Sequence, residues 1–250
     1  VSNIEWGAFY GCSSLTSISI PESVSYIGLG AFKGCSSLTS ISIPKSISSI
    51  GSGAFEGCNQ LTPHLLTYDN GTKCYGWVGA KDSCVNVVIP RSVTRIEDYA
   101  FYGCSSLTSI SIPKSVTRIE DYAFSGCSSL TSISIPKSVS RIGSGAFGDC
   151  SSLTSISIPK SVSYIEWEAF SGCSSLTSIS IPKSVTSIGS GAFYGCSSLT
   201  SISIPNSISD IGWWAFKGCV NLDIVIENSK ENVEVGSDAF EGCKSVKFTK

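Results

Sequence analysis

"LTSISIPKSVTRIEDYAFSGCSS", running from Leu107 to Ser129, decides the fold, because the chain repeats it with small changes from end to end. Ile110 and Ile112 alternate with Ser109 and Ser111, which is the period of a short half-buried strand. Pro113 ends that strand, having no N–H to continue a ladder. Val116 and Ile119, three apart, supply two more inward contacts on a tighter returning segment. "AFSGC" then reads as one turn of helix or 3₁₀-helix, stopped by Gly126, a residue that tolerates a positive φ. Phe124 is the largest inward group of the unit.

One such unit buries nothing alone, and stacking it creates columns. Phe9, Phe32, Phe55, Phe101, Phe124, Phe147, Phe170, Phe193, Phe216 and Phe240 form one of them. A ten-residue word, "CSSLTSISIP", recurs unchanged seven times, from Cys12, Cys35, Cys104, Cys127, Cys150, Cys173 and Cys196. Leu107, Ile110 and Ile112 follow the L-x-x-L-x-L spacing, so the expected fold is a leucine-rich-repeat solenoid. About eleven coils at ~4.8 Å strand spacing would give one parallel sheet on the order of 50 Å long on one face, with short turns on the other. A fixed period grows an array, not separate cores, so residues 1–250 read as a single solenoid domain.

Twelve cysteines would ordinarily mark a disulfide framework. Here Cys12, Cys35 and Cys58 are 23 apart, as are Cys104 through Cys219, and Cys243 follows after 24. One cysteine at one place per coil reads as a buried slot in which a thiol behaves as a small hydrophobe. Bridges between stacked coils are within reach by distance but are not required. No C-x-x-C or histidine-containing cluster accompanies the column, so no metal site is expected.

The register of Pro, Ala-Phe and Gly-Cys in "LTSISIPKSVTSIGSGAFYGCSS" (Leu176 to Ser198) closely resembles the BspA-like leucine-rich repeats of the 23-residue Treponema type. The resemblance covers almost the whole chain. It implies a secreted or surface-anchored protein used for adhesion or host contact, and it brings no catalytic residues. Extracellular or cell-surface localisation is therefore expected.

Charge is nearly balanced, 17 basic against 19 acidic side chains, without the clustered basic field that nucleic acid needs. No apolar run approaches the ~20 residues of a membrane helix. His64 is the only histidine, and no nucleophile or orienting acid accompanies it. No catalytic residue, cofactor site or enzyme activity is expected.

The outward strand positions, Thr108, Ser109 and Ser111, are nearly the same in every coil and form a hydroxyl carpet. Such a lattice suits something periodic, or simply solvates a sheet face. Variation sits elsewhere. "GLG", "GSG", "EDY", "EWE" and "GWW" follow the second isoleucine, and Trp6, Tyr99, Tyr122, Trp167, Trp213 and Trp214 fall in this belt. Arg95, Arg118, Arg141 and Tyr164 stand just before that isoleucine. Trp, Tyr and Arg anchor interfaces, so these ten residues are the expected contact surface, with loop drift as the alternative. Lys45, Arg91, Lys114, Lys137, Lys160 and Lys183 follow the prolines as a discontinuous basic row that could attract acidic glycans. Neighbouring Glu97, Asp98, Glu120 and Asp121 would instead neutralise it.

Residues 59–90 break the pattern, although Cys58 and Cys104 stay two whole periods apart. Laid on the template without gaps, Leu61, Leu66, Val78, Val87 and Ile89 fall inward, His64 takes an isoleucine place, Lys81 replaces the column cysteine and Cys84 takes a leucine place. A degenerate coil bulging as a loop is expected. Cys74 and Cys84 leave the cysteine column and are the candidates for one local disulfide. "NGT" at Asn70 is an N-glycosylation sequon, relevant in a eukaryotic secretory context. At the other end, residues 220–250 carry more charge and one extra residue, as a modified repeat or partial cap would. Val1 starts mid-repeat, which fits a piece of a longer array or a coil that meets another copy. Two functions follow. One is an adhesion module binding a host or matrix protein or glycan; the other is a self-assembling filament or surface-layer unit.

Overall fold

The computed structural model describes residues 1–249, and they wind as the expected solenoid with almost no helix. Two single-turn 3₁₀ segments, Lys81–Ser83 and Lys230–Asn232, are the only helical elements among the described residues.

Most coils contribute two short strands, where the sequence predicts one; in the coil of Arg141 the first is reduced to a single bridge, Ser132 to Ser155. The first ladder carries the Ser-Ile-Ser strands in 23-residue register: Ser109–Ser111 on Asn86–Val88, and Ser155–Ser157 on Ser178–Ser180. The second ladder runs through the returning segment, with Ile96, Ile119 and Ile142 side by side in parallel. A strand of only two residues has no readable alternation, which is why the spacing of Val116 and Ile119 gave only a tight return. Both ladders face their isoleucines inward.

The third wall is not the helical turn that "AFSGC" predicts. Ala123, Ser125 and Cys127 donate N–H bonds three residues back within their own coil, to Glu120, Tyr122 and Phe124. The alternate residues Tyr122, Phe124 and Gly126 donate instead to Ser144, Ala146 and Gly148 of the next coil, each at 2.8 Å. Half of the donors a helix would use thus bind coil to coil, and the turns become a third ladder.

The columns meet as predicted. Phe124 is fully buried between Phe101 and Phe147, at ring-centroid separations of 5.2 and 5.3 Å in near-parallel stacks. The cysteine column is buried except at its ends, where Cys12 is exposed and Cys243 half-buried. Apart from Cys12 and Cys104, the column thiols add a weak hydrogen bond to a phenylalanine carbonyl of the preceding coil: Cys150 Sγ donates to Phe124 O at 3.2 Å, and Cys173 Sγ to Phe147 O at 3.1 Å. Burial pushes the Cys58 and Cys150 thiols up to about 12, favouring their neutral form, whereas hydrogen bonds from Cys84 and Cys196 hold Cys104 and Cys219 below the ordinary thiol value.

Residues 59–90 are not a bulging loop. His64–Tyr68 and Lys73–Val78 form an antiparallel hairpin, and the second of these strands joins the second ladder beside Arg95–Ile96. Asp69 and Asn70 both have positive φ, and Gly71 N donates to Tyr68 O at 3.1 Å, which makes a type I′ turn. The gap-free alignment fails here. Lys73 pairs with Arg95 and Cys74 with Ile96, 22 residues apart, so Cys74 fills the isoleucine slot. Asn86–Val88 has regained the 23-residue register. Leu61, Leu66, Val78, Val87 and Ile89 are nonetheless buried as expected. His64 is exposed, its Nδ1 2.8 Å from Thr62 O, and does not take an isoleucine place.

The disulfide expected between Cys74 and Cys84 is absent; both are buried free thiols. Cys74 sits on the second ladder, whereas Cys84 precedes the Val85 that pairs with Thr108 on the first, and its thiol interacts with Cys104. The hairpin also divides the core. One apolar cluster runs from Ile20 to Val78 and a second from Cys74 to Ala239. Tyr75 interrupts the phenylalanine stack, edge-on to Phe55 at 5.5 Å and accepting a hydrogen bond from Phe55 N. In the C-terminal coil the step shortens to 22 residues at Asp223 and lengthens to 24 at Glu234, with Lys230–Asn232 taking up the difference.

Candidate functional site

The belt after the second isoleucine owes its geometry to one backbone torsion. In every regular coil the residue before Ala-Phe is left-handed, and Gly7, Gly30, Gly53, Gly145 and Gly191 fill that place in five of them. Tyr99 (φ 58°), Tyr122 (φ 55°), Glu168 (φ 52°) and Trp214 (φ 57°) hold it elsewhere. A Cβ on left-handed backbone costs roughly 1–2 kcal/mol, so these side chains stand where glycine would be the more stable choice.

The strained aromatics gather. Tyr99 and Tyr122 stack at 5.0 Å and 15°, Tyr102 meets Tyr99 edge-on at 5.5 Å, and Trp167 meets Tyr122 edge-on at 6.4 Å. Gly145 makes this possible, because a side chain there would run into the Tyr122 ring. Trp213 and Trp214 make a second cluster at 6.4 Å, with Gly236 leaving room for Trp213. Trp6 is highly exposed on the first coil, with no aromatic partner among the described residues. Tyr164 is exposed on the second ladder beside Ser187. Sequence reading missed Tyr102, Tyr10 and Tyr194. All three are exposed and stand directly after Phe in their coils, a variable position the repeat alignment already displays.

The arginines are committed to ion pairs. Glu120 is 1% exposed and accepts hydrogen bonds from Arg118 Nε at 2.7 Å and from the Arg141 guanidinium, while Arg95 Nε lies 2.9 Å away as an ion pair without hydrogen-bond geometry. Arg141 also reaches Asp121 at 3.1 Å, and Arg95 reaches Glu97 at 3.4 Å. Burial raises the Glu97 carboxyl above its usual range, against the pull of Arg95. Arg95, Arg118 and Arg141 therefore clamp a buried carboxylate and are not free contacts. Burial likewise raises Asp98 and Glu168, the latter also repelled by Asp149.

The remaining hydroxyls divide by role. The serine after each Pro-Lys is structural: Ser115, Ser138 and Ser184 donate to Val93 O, Val116 O and Val162 O at 2.6–2.7 Å. Thr108, Thr154 and Thr177 likewise donate to backbone carbonyls one coil back. An open groove of about 380 Å³ lies between Ile43–Lys45 and the hairpin turn, with Asn70 on its rim. No group of His, Cys, Asp and Glu suited to a metal ion occurs among the described residues, nor is any helix there long and apolar enough to cross a membrane.

A solenoid of 23-residue coils, with columns of Phe, Cys and Ile and an aromatic belt on one wall, defines a leucine-rich-repeat protein. The BspA type leucine-rich repeat model matches residues 1–72, 79–186 and 165–249 in six copies, and the chain belongs to that family. Residues 73–78, left out between the matches, are the inner strand of the hairpin. A search of curated proteins finds no match. Among solved structures the chain is similar to a leucine-rich repeat protein of Eubacterium ventriosum, at 23% identity and a TM-score of 0.68, covering 97% of this chain and 80% of that one. It is also similar to the pneumococcal vaccine antigen PcpA, at 18% identity and 0.54, covering 95% and 71%. A Treponema pallidum leucine-rich repeat protein matches at 31% identity and 0.42, covering 80% and 72%.

Proposed function

We propose that the chain is a non-catalytic adhesion module of an extracellular or cell-surface protein. It binds a host or matrix protein or glycan through Tyr99, Tyr122 and Trp167, with Trp213 and Trp214 as a second contact. The observation that carries this reading is the placement of Tyr99 and Trp214, both exposed, and of half-buried Tyr122 on left-handed backbone that glycine fills in sister coils, with exposed Trp167 and Trp213 packed edge-on against Tyr122 and Trp214. Stability alone selects against them, and strain of this kind accumulates where a side chain has work outside the fold. Large amphipathic rings are the side chains from which interfaces draw most energy. The family and the resemblance of the fold to a pneumococcal antigen support a surface setting.

The test is binding of the purified protein to cultured epithelial cells and to arrays of matrix proteins and glycans. Tyr99→Ala/Tyr122→Ala/Trp167→Ala should reduce binding at least tenfold while circular dichroism keeps the β-spectrum. Wild-type binding by a folded triple variant sinks the proposal.

A further inference from the structure

Three of the four carboxylates that the sequence offers as neutralisers of the basic row are taken by the arginines, and the fourth, Asp98, accepts a hydrogen bond from Asp121 N. Glu97, Glu120 and Asp121 pair with Arg95, Arg118 and Arg141 on the second ladder. Arg91, Lys114, Lys137, Lys160 and Lys183 are left exposed, and none has a carboxylate oxygen within 4 Å among the described residues. They occupy five consecutive coils, bounded by the hairpin on one side and Asn206 on the other. The coil-to-coil step there is short: the phenylalanine rings of those coils lie 5.2, 5.3, 5.7 and 5.4 Å apart.

The row is held in register. The serine after each cation bonds to the carbonyl of the preceding coil: Ser92 to Gly71, Ser115 to Val93, Ser138 to Val116, Ser161 to Val139 and Ser184 to Val162. Like charges in adjacent register repel, so the row costs stability that one acidic residue in alternate coils would recover. Beside it run Ser111, Ser157 and Ser180, exposed at the end of the first strand, and Ser134, exposed at the aligned place of its coil. Thr108 and its equivalents, by contrast, spend their hydroxyls on the backbone.

We propose that Arg91, Lys114, Lys137, Lys160 and Lys183, with the adjoining serine row, form a linear binding site for an anionic polysaccharide. A uniform lattice reads a uniform polymer. Cations carried on coils spaced about 5 Å apart are placed to meet successive carboxylates or sulfates along the chain, and the serine hydroxyls suit a polyol backbone. Nucleic acid fits less well, since no exposed aromatic ring lies in the row on which a base would stack. This site is on a different wall from the aromatic belt, and neither reading depends on the other.

The experiment is calorimetric titration of the whole chain with a heparin oligosaccharide, with dextran as the uncharged control and a single-stranded oligonucleotide of equal charge as the rival polyanion. Binding should weaken with added salt. Each of Lys114→Gln, Lys137→Gln and Lys160→Gln should weaken it by roughly two- to fivefold, the range of an exposed ion pair. Removing one paired lysine at a time, Lys33→Gln or Lys217→Gln, takes away equal charge elsewhere and should leave affinity unchanged. The proposal is overturned by absence of heparin binding at low salt, by equal losses in the Lys33 or Lys217 control, or by tighter binding of the oligonucleotide. Loss of cell adhesion in the aromatic triple variant with heparin binding intact would separate the two surfaces.

Discussion

At Trp214 the local cost of the proposed contact surface can be measured. Its φ of 57° is a glycine conformation, and Gly191 fills the same place one coil earlier. Trp214→Gly should therefore stabilise the fold by about 1 kcal/mol, visible as a rise of roughly 2–4 °C in Tm, while weakening binding. A fall in Tm would mean that the indole's packing against Trp213 outweighs the torsional strain. The sequence places Trp214 in the belt by repeat alignment alone. The strain beneath it was also legible, since every aligned glycine at that place needed a reason. Two things were not legible: the commitment of Arg95, Arg118 and Arg141 to one buried glutamate, which needs three coils in register, and the S–H donors of the cysteine column.

Among the elements, the hairpin is where sequence reading fell short. Leu61, Leu66 and Val78 were placed inward correctly, because apolar residues seek the core whatever the strand direction. The direction itself was lost, because Cys58 and Cys104 preserve the period across a change of register. One signal was available: Asp69-Asn70-Gly71 between two β-rich runs is a hairpin turn sequence. Gly76 shows how tightly the insertion fits. It has φ 118°, and a Cβ there would overlap the backbone of Ala100. Gly76→Ala should cost on the order of 2–3 kcal/mol from strain and displaced backbone. Urea denaturation checks this, and a loss under 0.5 kcal/mol would show that the hairpin can lift away freely.

For the whole molecule, the hairpin sets a boundary. In a repeat array, stability is nearly a sum of coil terms and neighbour terms, and cooperativity extends as far as the interfaces stay strong. Ten phenylalanines imply one continuous column, yet the stack stops at Phe55, turns edge-on at Tyr75 and resumes at Phe101. The buried core divides at the same point. We expect the weakest interface to lie between residues 1–72 and the coils after residue 90, so that the two parts open as separate cooperative units. Phe32 and Phe147 test this, since each is fully buried in the middle of its own stack. Either alanine substitution removes roughly 3–5 kcal/mol. Hydrogen exchange should then show Phe32→Ala loosening the amides of residues 1–72 while those of residues 101–226 keep their protection, and Phe147→Ala doing the reverse. Uniform loss of protection along the chain in either variant would mean that Tyr75 transmits the stack as well as a phenylalanine would.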